Sequence, residues 1–117
     1  MPDSLTIIVP VYNEEKNLIR VENELQSYIN QCKLKTKVLF VNDGSKDSSL
    51  QIIQQICSKN PPFHYLNFDK NYGLSAAIKA GFDHADSSLV GYIDSDLQTS
   101  PKDFDLLLEH AADYDLI

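Results

Sequence analysis

The chain has 117 residues, enough for a single hydrophobic core, and its 10 Lys and Arg against 17 Asp and Glu give a formal charge of −7. That balance disfavours nucleic acid or an anionic membrane as a partner held by bulk charge, so any phosphate-bearing ligand needs local help. Cys32 and Cys57 lack metal-ligand spacing, no apolar run reaches the length of a membrane span, and an apolar strand near the N-terminus leaves no room for a signal peptide. A cytoplasmic domain with free thiols is expected.

Leu5–Val11 (LTIIVPV) is rich in β-branched residues and reads as a first buried strand, with Pro10 near its end where a missing N–H matters least. From Glu14 to about Gln31, Leu18, Val21, Leu25, Tyr28 and Ile29 recur at three- and four-residue spacing, which predicts an amphipathic helix with Glu14 and Glu15 at its N-terminus. Lys37–Val41 is the second strand and Asn42-Asp43-Gly44-Ser45 a turn by composition. A second helix is expected from about Asp47 to Ser58, ended by Asn60-Pro61-Pro62, and Phe63–Phe68 reads as a third strand. An Ala-rich helix from Leu74 or Ser75 to Ala85 follows, its small residues allowing close packing on a sheet. Leu89–Gln98 (LVGYIDSDLQ) is read as a strand covered on both faces that delivers an acidic pair. Ser100-Pro101 starts a last helix to about Ala112, and Tyr114–Ile117 looks like a fifth strand without an exit loop, which is expected of a fragment.

Strict alternation of strand and helix predicts an α/β fold: a three-layer α/β/α arrangement on a mostly parallel sheet with right-handed crossovers. Ligands in such sheets sit at the carboxyl ends of the strands. The exits of strands one, two and four carry Tyr12-Asn13-Glu14, Asn42-Asp43-Gly44 and Asp94-Ser95-Asp96-Leu97-Gln98, so three polar clusters are expected to converge on one edge.

Asp94 and Asp96 are two apart, point the same way at a strand end and can share a hard cation such as Mg2+ or Mn2+. A dication is what a diphosphate needs to approach two carboxylates. A lone Asp-x-Asp is nevertheless more often a solvated turn, and a calcium loop is disfavoured by Gln98 and Thr99 at the fifth and sixth positions. Asp43 offers an acceptor to a base N–H or a ribose hydroxyl, although Asp-Gly alone is more often an ordinary turn. Tyr12 offers a ring for stacking and Glu14 a carboxylate for ribose or base; a surface aromatic and a helix N-terminal charge are the plainer readings. Lys70 is either a phosphate contact or a solvated charge, and Gly73 either a close approach or a turn. His64, His84 and His110 are not spaced as ligands.

PVYNE (Pro10–Glu14), VNDGS (Val41–Ser45), KNYGLSAAIKAGF (Lys70–Phe82) and DSDLQTSP (Asp94–Pro101), in that order along the chain, resemble the family 2 inverting glycosyltransferases of the GT-A fold. The DSDLQ form is most similar to the polyprenyl- and dolichyl-phosphate sugar transferases. The resemblance implies a Rossmann-like nucleotide-binding half, spanning residues 1–117, of a hexosyltransferase-type enzyme of cell envelope glycan biosynthesis. It implies a UDP- or GDP-sugar donor and a lipid or glycan acceptor, such as a polyprenyl phosphate. Pro10, Val11, Tyr12 and Glu14 would line the nucleoside pocket, Asp43 would contact the base, Lys70 the phosphates, and Asp94 and Ser95 would lie near ribose and diphosphate. Asp94, Asp96 and Gln98 would ligate Mg2+ or Mn2+, with Asp94 and Asp96 catalytic through the leaving group. Asn42 departs from the family's usual Asp, and Lys70 stands where Arg is common. The group that activates the acceptor is expected beyond Ile117, so these residues alone are expected to bind nucleotide without transfer, and an uncovered sheet edge favours homo-oligomers. The full-length protein is expected at the cytoplasmic face of the membrane or in the cytoplasm.

The alternative from another class is a non-catalytic receiver-like signalling domain. It needs acidic residues after strand one and a phosphoacceptor after strand three, where Tyr12-Asn13-Glu14 and Asp69 stand. A dinucleotide-binding dehydrogenase would need a Gly-rich turn after strand one, and none is present.

Overall fold

A computed structural model describes residues 4–32 and 34–93. The predicted Asp94–Gln98 cluster, the helix from Ser100-Pro101 to Ala112 and the strand Tyr114–Ile117 lie outside the described residues. Four strands and three helices alternate: β1 (Ser4–Val11), α1 (Leu18–Gln31), β2 (Lys35–Asn42), α2 (Ser49–Lys59), β3 (Phe63–Asn67), α3 (Leu74–His84) and β4 (Leu89–Tyr92). All described pairings are parallel, in the order β3-β2-β1-β4.

The order separates the two fold expectations. In a receiver-type sheet β1 lies between β2 and β3, whereas here β2 lies between β1 and β3, as in the nucleotide-binding doubly wound sheets. The chain reverses direction across the sheet after β3, and the switch falls between β1 and β4.

Alternation along β1 assigns the two layers. Leu5, Ile7, Val9 and Val11 join Leu18, Val21, Leu25, Val38, Phe40, Ile53 and Ile56 in the larger core, under α1 and α2. Ile8, Leu39, Val41 and Ala77 form the smaller core under α3. The small residues of α3 act as predicted: a Cβ placed on Gly81 would stand 2.7 Å from the Ile8 side chain, so only glycine lets the helix lie this close to β1. Around Pro10 the ladder is kept by carbonyls, those of Val11 and Ile8 receiving the N–H groups of Asp43 after β2 and Ile93 after β4. By alternation Pro10 faces the β4 side, where the described pairing ends at Ile8 and Tyr92.

Boundaries at the carboxyl edge depart from expectation. α1 begins at Leu18 rather than Glu14: residues 15–17 form a turn in which the Asn17 N–H donates to the Glu14 carbonyl, while the N–H groups of Glu14 and Glu15 are held by Ser49 at the start of α2 and Asp47 in the loop before it. Asn42 belongs to β2 and not to the turn; its side chain is buried and donates to Asn67 Oδ1 at 2.8 Å, while its own Oδ1 is without a hydrogen-bond partner. β4 follows the alternation: Leu89 and Ile93 are buried in the larger core and Val90 packs, partly buried, on the smaller one, while Tyr92 is 47% exposed.

Candidate nucleotide site at the carboxyl edge of the sheet

The exits of β1 and β2 are stitched together by side chains that replace missing secondary-structure partners. Asn13 adopts a left-handed backbone, φ 55°, which asparagine tolerates better than most residues. That turn lets its N–H reach Ser45 Oγ at 3.0 Å while its Oδ1 accepts the Lys46 N–H at 2.7 Å. The Glu14 N–H donates to Ser49 Oγ at 2.9 Å and the Glu15 N–H to Asp47 Oδ2 at 3.3 Å; in return Glu15 Oε2 accepts the Ser48 N–H at 3.1 Å. Burial works against ionisation of Asp47, but the Ser49 hydroxyl and the N–H groups of Ser49 and Glu15 outweigh it and hold the carboxyl below its ordinary value. The Glu14 carboxylate is fixed by Asn17 Nδ2 at 2.7 Å.

The β3–α3 connection joins the same edge through Asp43, which is 3% exposed. Its Oδ1 accepts the Tyr72 N–H at 2.7 Å, and its Oδ2 accepts the Gly73 N–H and Asn71 Nδ2, both at 3.0 Å. Gly44, φ 68°, is needed for conformation and for space, since a Cβ there would overlap the backbone of Lys70 and Asn71. Gly73, φ 104°, holds a backbone conformation that L side chains rarely adopt and has open space around its Cα.

Between these loops lies a cavity of about 230 Å3 lined by Pro10, Val11, Tyr12, Glu14, Asp43, Asn71, Gly73 and Leu74. Five of the eight candidate nucleotide-binding residues therefore meet on one wall system. Tyr12 is 42% exposed, with ring area free for stacking. Lys70 is on the adjoining loop but does not line the cavity; its Nζ stands 5.4 Å from the centre of the Tyr72 ring. The Tyr72 hydroxyl donates to Asp69 at 2.9 Å, which pushes the phenol's pKa up, and the ring packs edge-on against Phe68. Asp94, Ser95, Asp96 and Gln98 are outside the described residues, directly after Ile93.

Asn71, Ser49 and Asp47 were not singled out as site residues from sequence. Asn71 sits inside the KNYG motif, and Asp47 and Ser49 follow VNDGS, so proximity to the motifs is the signal that marks them. A larger cavity, about 750 Å3, lies toward the amino ends of the strands and is lined in part by Thr6, Lys37, His64 and His84. It gathers none of the strand exits, Lys37 is paired with Asp86 there at 3.7 Å, and no group of three His, Cys, Asp or Glu among the described residues could hold a metal. Size alone therefore does not single out a candidate site; convergent, oriented polar groups do.

Comparison with known proteins follows the same geometry. A family model described as "Glycosyl transferase family 2" matches residues 6–117. The glycosyltransferase YkcC of Bacillus subtilis (strain 168), described as uncharacterized, is 39% identical over 104 residues, covering 89% of this chain and 31% of the relative. An undecaprenyl-phosphate 4-deoxy-4-formamido-L-arabinose transferase of Sodalis glossinidius is 35% identical, covering 98% of this chain and 36% of the relative. The chain thus spans about a third of the length of these curated relatives. Among solved structures, S. aureus TarS in complex with UDP-GlcNAc superposes with a TM-score of 0.74 at 23% identity, over 94% of this chain and 31% of that one. A mannosyltransferase from Pyrobaculum calidifontis in complex with GDP-Man and Mn2+ superposes with 0.67 at 24% identity, over 82% and 30%. At these identities the likeness is one of fold, and it agrees with the GT-A expectation.

Proposed function

The chain belongs to glycosyl transferase family 2, and from that premise we propose that it is the donor-binding part of a glycosyltransferase that moves a sugar from a nucleoside diphosphate to an acceptor oxygen. The observation that carries the proposal is the convergence of Pro10, Val11, Tyr12, Glu14 and Asp43 on one cavity at the carboxyl edge of β1 and β2. Tyr12 supplies a ring face for the base, Asp43 an acceptor for a base N–H, and Glu14 an acceptor for base or ribose. Lys70, held on the loop beside the cavity, supplies a positive charge for the phosphates.

The donor set expected for the cation, two carboxylates and an amide oxygen from Asp94, Asp96 and Gln98, is hard and suits Mg2+ or Mn2+. The described structure supports a site there to the extent that Ile93, the residue before Asp94, is hydrogen-bonded to Ile8, two positions before Pro10 of the cavity. When bound, the ion supplies neutralising charge for the leaving nucleoside diphosphate. Ser95 lies between the two aspartates and is assigned to the diphosphate side. The acceptor oxygen forms a bond to the anomeric carbon as the bond from that carbon to the diphosphate breaks, with inversion.

Relatives and structural neighbours support the substrate classes. The Sodalis relative is described as acting with undecaprenyl phosphate, and neighbours are solved with UDP-GlcNAc or with GDP-Man and Mn2+. A polyprenyl phosphate is therefore the acceptor we propose, used at the cytoplasmic face of a membrane; no described helix is long and apolar enough to cross one. Calorimetric titration of the chain with UDP and GDP, with and without Mn2+, tests the reading. Binding that needs the ion and is lost in Asp96→Ala is expected. Ion-independent binding, or binding unchanged by Asp96→Ala, would count decisively against it.

A further inference from the structure

Resting on the reading that the carboxyl-edge cavity takes a nucleoside diphosphate, we propose that Asn71 is a positioning residue for the nucleobase, acting through Asp43. Asn71 Nδ2 donates twice, to Asp43 Oδ2 at 3.0 Å and to the Asp43 main-chain carbonyl at 3.1 Å. Both partners are acceptors only, so the amide nitrogen and not the amide oxygen must face them. Asn71 therefore grips one residue by side chain and main chain together, which fixes the side-chain torsion of Asp43 and not merely the separation of two loops.

The count of acceptor positions gives this grip a consequence. A carboxylate has about four lone-pair positions. Oδ2 uses two, for Asn71 Nδ2 and the Gly73 N–H, and Oδ1 uses one, for the Tyr72 N–H. One position on Oδ1 is left in a residue that lines the cavity. The Asp43 main chain is equally constrained, its N–H donating to Val11 at 2.8 Å, and Gly44 packs backbone to backbone on Lys70 and Asn71. Asp43 is thus a buried group with a single acceptor to spend on a ligand, in a direction set by the Asn71–Gly73 loop. Removal of the Asn71 amide frees half of Oδ2 and the carbonyl at once, letting the carboxyl group rotate.

The test is titration of the 117-residue chain in the presence of Mn2+ with UDP, GDP and inorganic pyrophosphate, which lacks the base. Wild type and Asn71→Ala are compared. Affinity for the preferred nucleotide should fall about tenfold in Asn71→Ala, the size expected for one hydrogen bond to a charged group, with pyrophosphate affinity unchanged. Asn71→Asp, of the same shape but with an acceptor facing Asp43, should lose more than Asn71→Ala. Asn71→Ser keeps a donor at shorter reach and serves if the alanine variant does not fold; it should lie between wild type and Asn71→Asp, again for nucleotides alone. Equal losses for nucleotide and pyrophosphate would reduce Asn71 to general loop support and overturn the inference, as would unchanged nucleotide affinity. Failure of the wild type to bind UDP or GDP has a different signature and removes the donor-site reading itself.

Discussion

The two edges of the sheet make opposite use of polar residues. At the carboxyl edge, side chains of Asn13, Ser45, Asp47, Ser49, Asp43 and Asn71 each satisfy a backbone group of a neighbouring loop, so three connections share one network around a small cavity. At the amino edge a cavity three times larger is bordered by Lys37 and Asp86, 45% and 83% exposed, in an ion pair that solvent screens. The difference teaches that this fold concentrates its side-chain-to-backbone hydrogen bonds where three loops meet. Pre-organisation of that kind is what a binding site needs.

The contrast is most easily broken at Gly44. Gly44→Ala forces a left-handed backbone on a residue with a Cβ and drives that Cβ into the Lys70–Asn71 backbone, so a loss of about 3 kcal/mol is expected. Urea denaturation measures it, and a loss below about 1 kcal/mol would mean the two loops part without cost. A smaller effect should appear at acid pH through Asp47. Its folded-state pKa lies below the ordinary value of 3.8, so its contribution is complete above that value and disappears as pH falls through the lower, folded one. The stability difference between wild type and Asp47→Asn should therefore shrink as denaturation curves are taken below about pH 3.8; a constant difference would show that the carboxylate charge is irrelevant. The smallest effect belongs to the amino edge. Lys37→Ala should change stability by no more than about 0.5 kcal/mol, with nucleotide titrations superimposable on wild type. A loss of nucleotide affinity in that variant would erase the distinction between the edges.

Much of the fold was legible in the letters because burial repeats with the period of each element. The alternation in Leu5–Val11 and the stripe Leu18, Val21, Leu25 and Tyr28 are where the strand and helix cores are found. The candidate site was legible as motifs, and the cavity brings together Pro10, Val11, Tyr12, Glu14 and Asp43 from two of them. What was not legible concerns contacts between motifs. Glu14 and Glu15 read as the first turn of a helix because helix propensity and charge are local, yet their N–H groups are spent on Ser49 and Asp47, more than 30 residues away. The apolar letters of β4 do not say which core each face joins, Leu89 the larger and Val90 the smaller, and how closely α3 lies on β1 depends on Gly81 meeting Ile8.

By itself, then, the sequence determined the α/β alternation, the parallel sheet, the layers of the core and the family, since each follows from periodicity or from motifs a few residues long. Only the tertiary structure decided that Asp43 is a shared hub with one acceptor to spare, that Asn71 grips it, and that Lys70 stands outside the cavity wall. Those facts arise from hydrogen bonds between segments about 30 residues apart, and no local pattern records which distant donor a buried carboxyl group will find.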